Sequence, residues 1–501
     1  MAQLDRRTFL KGAAATAGAV ALGGTVQGFA GLANAAGKKP DFQTLSPVAD
    51  LRDHAVRLHL PTGFQYRSFH DTDGPPVILD DGTVLPGRHD GMAAFPAADG
   101  NSWLVRSHQL PSPFTPWPEP VPASLAFGPG TPYDARGRGG TTTVLVTPFG
   151  EVLESFTSLN GTLQNCAGGG MPWGSWITCE ETINGPDVGP DFTGMPNEHL
   201  LKPHGFIFEV PFNGQSNRLP IKNAGRFAHE AAAFSPDEGY LYLTEHNFAF
   251  PSGFYRYIPP NNPAVDGHVD DGGQLEMLKV VGSNEAHLEA GQVNGTAYDV
   301  EWITIAMPYP NFGTSTDALF TTPTTNNQAL TFVGDQGRAL GAAHFSRLEG
   351  ASYTRGEIYF TSTQGGGAAE TGPELTLGYG NGRGQVWSYN PRTSRLTCRY
   401  QSPNVDTLDF PDNITAKSDR GAIVLCEDGG APNYIRGLTR DHELFDIALN
   451  QLTNNATGAP RFGEEFAGAT FGPGTDTMFV NIQASLGISF AIWGPWGRLG
   501  V

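Results

Sequence analysis

One unit recurs along this 501-residue chain and limits what it can fold into. "EAAAFSPDEGYLYLTEH" begins at Glu230 and "EGASYTRGEIYFTSTQ" at Glu349. "NITAKSDRGAIVLCED" begins at Asn413 and "GATFGPGTDTMFVNIQ" at Gly468. Two looser copies are "CAGGGMPWGSWITCEE" from Cys166 and "DGMAAFPAADGNSWLVRSHQ" from Asp90. Each has a polar or small residue, a short run, a turn, and an apolar strand ending in polar residues. Further strand-like segments such as "HGFIFEVPF" and "GQVWSYNPRTSRLTCRY" follow most copies. A strand, a hairpin and one or two outer strands, repeated about six times, predict an all-β chain folded as a β-propeller. Spacing between copies is uneven, so loop insertions over the active face are expected, residues 301–330 being one. A solenoid or a pair of sandwiches is the competing architecture. The 65 glycines and 39 prolines, which interrupt helices, support the all-β reading.

The first 35 residues are set aside from the fold. Arg6-Arg7 is followed by Thr-Phe-Leu-Lys, a weakly apolar run of alanines and glycines, and an Ala33-Asn34-Ala35 cleavage signal. This pattern predicts a twin-arginine signal peptide, with residues 36–501 as a single propeller domain. An ordinary secretory signal or a membrane anchor is the alternative. No other stretch approaches the ~20 apolar residues that span a bilayer. The protein is therefore expected in the periplasm or outside the cell, delivered by the twin-arginine translocase and without a membrane anchor. Removing the leader takes away three basic residues and one acidic one, leaving 28 against 49 and a net charge of −21. So acidic a surface excludes nucleic acid as a partner and suits multivalent cations. The four cysteines, at 166, 179, 398 and 426, are too few for a disulfide scaffold, though two bridges would fit an oxidising compartment.

In a propeller, equivalent ends of the inner strands meet around a central channel. Glu230 and Glu349, with Asn413 and Asp90, are thus expected near one mouth. The strand-end groups Cys179-Glu180-Glu181, Glu245 and Cys426-Glu427-Asp428 are expected there too. Carboxylates brought so close repel unless a cation neutralises them, so a metal centre is expected. Oxygen donors suit calcium, and a thiolate among them points to a transition metal. Cys179, beside two glutamates in "SWITCEET", is the favoured thiol, against the alternatives of a small buried hydrophobe or a bridge to Cys166. Arg347 and Glu349 are two apart on an extended chain and share a face. They read either as a local salt bridge or as a metal-binding carboxylate beside a guanidinium that grips an oxyanion. Arg383, flanked by glycines in "GNGRGQVW", is a second candidate clamp or a simple loop arginine. The chain lacks G-x-S-x-G, Walker and H-E-x-x-H motifs.

"NCAGGGMPWGSWITCEE", "GRFAHEAAAFSP", "FSRLEGA", "DNITAKSDRGAIVLCEDG" and "EFAGATFGPGTDTMFVNIQ" with "GISFAIWGPW" resemble motifs of the PhoX-type alkaline phosphatases. The resemblance runs from about residue 85 to the C-terminus and includes the leader. It implies a monomeric, exported β-propeller that hydrolyses phosphate monoesters with a cluster of Ca²⁺ and Fe³⁺ in its channel. It implies Cys179 as an iron ligand and Glu230 and Glu349 as further ligands. Glu180, Asn413, Glu427, Asp428 and Glu465 are carried over as metal ligands on the same motifs, and Arg347 as the holder of the substrate phosphate. Relatives often read Asn-His-Glu where this chain has Ser107-His108-Gln109, which takes a carboxylate out of the first blade. The alternatives are a calcium-dependent propeller lactonase, which has no use for a thiolate, and a non-catalytic binding propeller stabilised by calcium.

Overall fold

The computed structural model describes residues 44–111, 128–191, 194, 196–197, 199–312, 324–418 and 421–501. The leader and residues 313–323 of the expected insertion lie outside them. Six antiparallel blades surround one axis. Their innermost strands are His89–Pro96, Asn165–Met171, His229–Ser235, Leu348–Thr354, Pro411–Ala416 and Glu465–Phe471. Each packs on the next and the last packs on the first, so the ring is closed. The six copies read from the sequence are these six inner strands and their hairpin partners.

A blade is covered on both sides, so its strands bury both faces. In Tyr240–Glu245, Leu241 and Leu243 enter the cluster between the second and third blades, while Tyr242 enters the one between the third and fourth. Every neighbouring pair of blades encloses such an apolar cluster. Each large aliphatic or aromatic side chain buried there contributes roughly 1.5–3 kcal/mol. The inner strands are built of small residues because six of them converge. A Cβ on Gly91 would lie 2.5 Å from the Ala167 Cα, and one on Gly350 2.8 Å from the Asn413 Cα. Only glycine lets these backbones meet.

The start of the chain closes the ring. Gln65–Phe69 pairs with Ile488–Trp493 as the outer strand of the sixth blade. Ser46–Ala49 and Val56–Leu60 extend the outer edge of the fifth. The strand Ala297–Thr304 ties the outer edges of the third and fourth blades together. After it comes the helix Asn326–Arg338, started by a Thr325–Gln328 capping box and packed into the core through Val333. Asn247 Nδ2 donates to Leu330 O at 3.4 Å, which places this helix beside the channel mouth.

A polar cluster is buried between the first and sixth blades. Arg106 Nη2 bonds His70 Nδ1 at 3.1 Å, and Arg106 Nη1 donates to Ser489 Oγ at 2.7 Å. His108 bonds Thr142 Oγ1 and Gly87 O. Burial, and next the Arg106 charge, hold His70 and His108 well below the usual imidazole range. Burial also lowers Arg106 itself to about 9. The unfolded chain takes up these protons near pH 6.5 and the folded chain does not, so stability is lost as pH falls below 6.5. Each histidine contributes up to about 1.4 kcal/mol per pH unit. The His70→Asn variant keeps an acceptor for Arg106 and is expected to flatten the slope of unfolding free energy against pH. Urea titrations between pH 5 and 8 measure it, and an unchanged slope contradicts it.

Candidate metal centre

Each of the first five inner strands carries a β-bulge at its second and third residues, where the register shifts. A bulge re-aims side chains, and these five set Asp90, Cys166, Glu230, Glu349 and Asp412 at one level of the channel. A second level comes from the residue after each hairpin partner: Gln109, Glu181, His246, Thr363 and Asp428. Their N–H groups donate to the carbonyl of the residue preceding the inner strand, at 2.9–3.0 Å. That preceding residue is left-handed in four blades: Arg88 (φ 54°), Gln164 (φ 47°), Arg347 (φ 39°) and Phe410 (φ 52°). In the sixth blade Glu465 stands first in its strand, opposite Gln483.

The result is a connected set of buried ligating side chains. Glu181, Glu230 and His246 form one group; Glu230, Glu349 and Asp412 a second; Asp412, Asp428 and Glu465 a third. Within each group the ligating atoms lie within 4.8 Å of one another. His246 Nδ1 is 2.6 Å from Glu181 Oε1, and His246 Nε2 is 3.6 Å from Glu349 Oε1. Ala167 N and Thr363 Oγ1 donate to Glu230 and Glu349 at 3.2 and 3.1 Å. Burial pushes the Glu230 carboxyl well above its usual range, and the neighbouring charges of Glu349, Glu181, Asp412 and Asp90 push it further. Its Oε2 is buried without a hydrogen-bond partner among the described residues. A carboxylate in this position ionises only beside a cation, so the donor set fits metal ions.

Arg347 reaches this set with its side chain 2 % exposed. Its Nε donates to His246 Nε2 at 3.0 Å, Nη1 donates to Gln364 Oε1 at 2.7 Å, and Nη2 stands 3.9 Å from Glu349 Oε1. The guanidinium lies 5.7 and 5.8 Å from the ring centres of Phe248 and Phe410. Because His246 Nε2 accepts from Arg347, His246 Nδ1 carries the proton that faces Glu181. Arg383 is at the rim, 39 % exposed, and pairs with Asp409 Oδ1 at 3.4 Å.

Among the residues expected from the sequence, Glu230, Glu349, Asp428 and Glu465 come together, with Arg347 beside them. The others sit elsewhere, for a reason of register: a one-residue step along a strand changes the face. Glu180 takes the N–H groups of Leu163, Gly205 and Phe206 and an imidazole nitrogen of His204. Glu427 takes those of Asp409 and Tyr434 and the Arg436 Nε. Both lock neighbouring backbone, while Glu181 and Asp428, one residue on, face the channel set. Asn413 accepts from Gly468 N at 2.6 Å and donates to Asp412, linking the fifth and sixth inner strands. Asp412 holds the aligned position. Cys179 stands one strand farther from the axis, opposite Ile207, and Cys166 occupies the bulge level. All four cysteines are free thiols. Burial raises the Cys166 thiol, and Glu230, Cys179, Glu181 and Asp90 raise it further. Gln109 Nε2 donates to Glu181 Oε2 at 2.6 Å, so an amide bonds where a second carboxylate would repel.

The lock role of Glu427 has a separable consequence. Burial raises its carboxyl to about 7 against the pull of Arg436. Glu427→Ala leaves Arg436 with Asp446 alone and the N–H groups of Asp409 and Tyr434 without their acceptor, and is expected to cost about 1–3 kcal/mol of stability. Metal content should stay at the wild-type level. Denaturant unfolding with elemental analysis checks both, and loss of metal without loss of stability would reverse the assignment.

With this geometry in view, the chain was compared with known proteins. The family model "Alkaline phosphatase PhoX" matches residues 150–485, and a twin-arginine translocation signal model matches residues 3–23. No curated protein matches the chain. Among solved structures, PhoX of Pseudomonas fluorescens, in complex with the transition-state analogue vanadate, superposes with a TM-score of 0.59 at 15 % identity. That match covers 90 % of this chain and 97 % of the other. A gluconolactonase from Xanthomonas campestris gives a TM-score of 0.33 at 12 % identity over 84 % and 98 % of the two chains. Among the described residues no helix is long and apolar enough to cross a membrane.

Proposed function

Since the chain belongs to the PhoX alkaline phosphatase family and carries a twin-arginine signal for export, we propose that it hydrolyses phosphate monoesters on a calcium and iron cluster at the channel mouth. The observation that carries this reading is the buried carboxylate set facing the held guanidinium of Arg347. Glu181, Glu230, Glu349, Asp412, Asp428 and Glu465 would hold the ions, with His246 bonded between Glu181 and Arg347 beside them. Oxygen donors in this number suit Ca²⁺, and the thiol of Cys166, at the level of the carboxylates, suits Fe³⁺. Cys166 replaces Cys179 in this role because Cys166 lies on the innermost strand. When bound, the ions supply Lewis-acid polarisation of the phosphoryl group and an activated oxygen nucleophile.

The chain's own residues do the rest. Arg347 offers its fork to the phosphoryl oxygens, and neutralises charge that builds there as the ester bond breaks. Gln364 and His246 hold that fork, and the rings of Phe248 and Phe410 limit its hydration. The small residues of the inner strands close the floor below the carboxylates. Phosphate esters outside the cytoplasm are the substrates, and the protein acts on them as a monomer.

The test uses the purified exported protein. Elemental mass spectrometry is expected to find iron with calcium, together with turnover of a chromogenic phosphomonoester at alkaline pH. Chelation should remove metal and turnover in parallel and lower the melting temperature, because the buried carboxylates then face one another uncompensated. Calcium alone without phosphatase turnover would overturn the proposal.

A further inference from the structure

We infer that a cleft between the fourth and fifth blades, on the face opposite the metal centre, binds a phosphate group. The cleft shares no residue with the channel set, so this site stands whether or not the protein is a phosphatase.

Its place follows from the direction of the strands. Leu348–Thr354 starts at the channel mouth with Glu349 and runs to the far end of its blade, where Arg355 and Gly356 turn the chain into Glu357–Ser362. Six residues of extended chain put Arg355 about 20 Å from Glu349. The fifth blade turns at the same end, between Tyr434–Leu438 and Leu444–Asn450, with Arg440 and His442 in the turn. The cleft there has a volume of about 340 Å³, and its walls include Arg355, Glu357, Tyr359, Arg399, Arg440 and His442. The chain as a whole has 50 acidic residues to 31 basic ones. Here three arginines and a histidine meet one carboxylate.

That carboxylate is internally satisfied. Glu357 takes Arg399 Nη2 on one oxygen and Asn390 Nδ2, at 3.3 Å, on the other. The pair cancels, and Arg355 and Arg440 give the cleft its positive charge. An orphan hydroxyl is the second observation. Tyr359 is 5 % exposed, with its ring packed in the apolar cluster between the two blades. Its hydroxyl makes no hydrogen bond among the described residues, although a buried phenol ordinarily finds a partner. The same side chain lines the cleft, with Arg355 Cζ and Arg399 Cζ at 5.7 and 5.9 Å from its ring centre. Guanidiniums and a phenol O–H are donors, and an ionised phosphate offers acceptors to both walls at once. The turns agree with this. Arg355 (φ 59°) and His442 (φ 64°) occupy left-handed positions that favour glycine or asparagine, yet carry side chains that grip anions. A free phosphate ion and the phosphate of a lipid headgroup present the same chemistry to these donors.

The experiment titrates inorganic phosphate into the metal-loaded protein by calorimetry, and floats the protein with vesicles of phosphatidic acid in phosphatidylcholine. Tyr359→Phe removes only the hydroxyl and keeps the packed ring, and Arg440→Gln changes a turn residue. Each should weaken one phosphate-binding event by about tenfold. Turnover of a chromogenic phosphomonoester should stay at the wild-type kcat/KM in both, and Arg347→Ala should leave that binding event intact. Weakened binding of the free ion in both variants assigns the site to inorganic phosphate. Flotation that both variants lose, with no such event for the free ion, assigns it to a lipid headgroup. Unchanged binding of ion and vesicle in either variant overturns the site, as does a wild type that binds neither outside the channel. Turnover that falls in step with the lost binding would overturn its separation from the channel. If no phosphomonoester is hydrolysed, the phosphatase reading falls, and calorimetry of the two variants still decides the cleft.

Discussion

Replacing Glu349 by alanine is expected to strip metal from the channel and abolish phosphomonoester hydrolysis in the same preparation. Glu349 belongs to the middle of the three ligating groups, shares it with Glu230 and Asp412, and faces His246 at 3.6 Å. Its loss therefore disturbs ions held by three blades rather than one. The metal-free proteins should rank in the opposite order. Without cations, one fewer buried carboxylate means less repulsion on Glu230, whose protonation Glu349 already favours. The metal-free variant should melt above the metal-free parent, and the variant in calcium and iron below the loaded parent. Elemental analysis, turnover and melting curves of both forms check this, and full activity at full metal content would remove Glu349 from the ligand set.

The second large effect concerns Arg347. Arg347→Ala should lower kcat/KM by about 10²–10³, the usual consequence of losing one donor aimed at developing charge. Metal content should hold, because Arg347 contacts the set through His246 and through a 3.9 Å approach to Glu349 rather than supplying a ligand. Arg347→Lys is expected to recover little, since an ammonium cannot reproduce the fork that spans Gln364 and His246. Loss of metal in Arg347→Ala would instead make the guanidinium a structural counter-ion.

The propeller was legible because its repeat is written in the inner strands, where convergence demands alanine and glycine and the mouth demands an acid. Glu230 and Glu349 stood out for that reason. The adjoining pairs were harder. "CEE", "TEH" and "CED" each end a strand with two polar residues in succession, both buried, so polarity does not say which faces the axis. The bulge decides it, and bulges leave no composition signal. The same ambiguity in "DN" hid Asp412 behind Asn413. His246 was concealed by a different circumstance, since a lone histidine after a strand more often serves structure. The helix Asn326–Arg338 had a readable cap in Thr325 and Gln328 but little apolar periodicity behind it.

The closure of the sixth blade sets a schedule for biosynthesis. Phe69 and Ser489 face each other across that blade, 420 residues apart in the chain. The ring stays open until Ile488–Trp493 has been made, so a product truncated before it exposes a strand edge. A leader placed just before the closing strand is then attached to the part of the molecule that settles last. Such a chain is ready to leave the cytoplasm only as a finished ring, which matches an export route that carries folded cargo and disfavours one that threads the polypeptide as it is made.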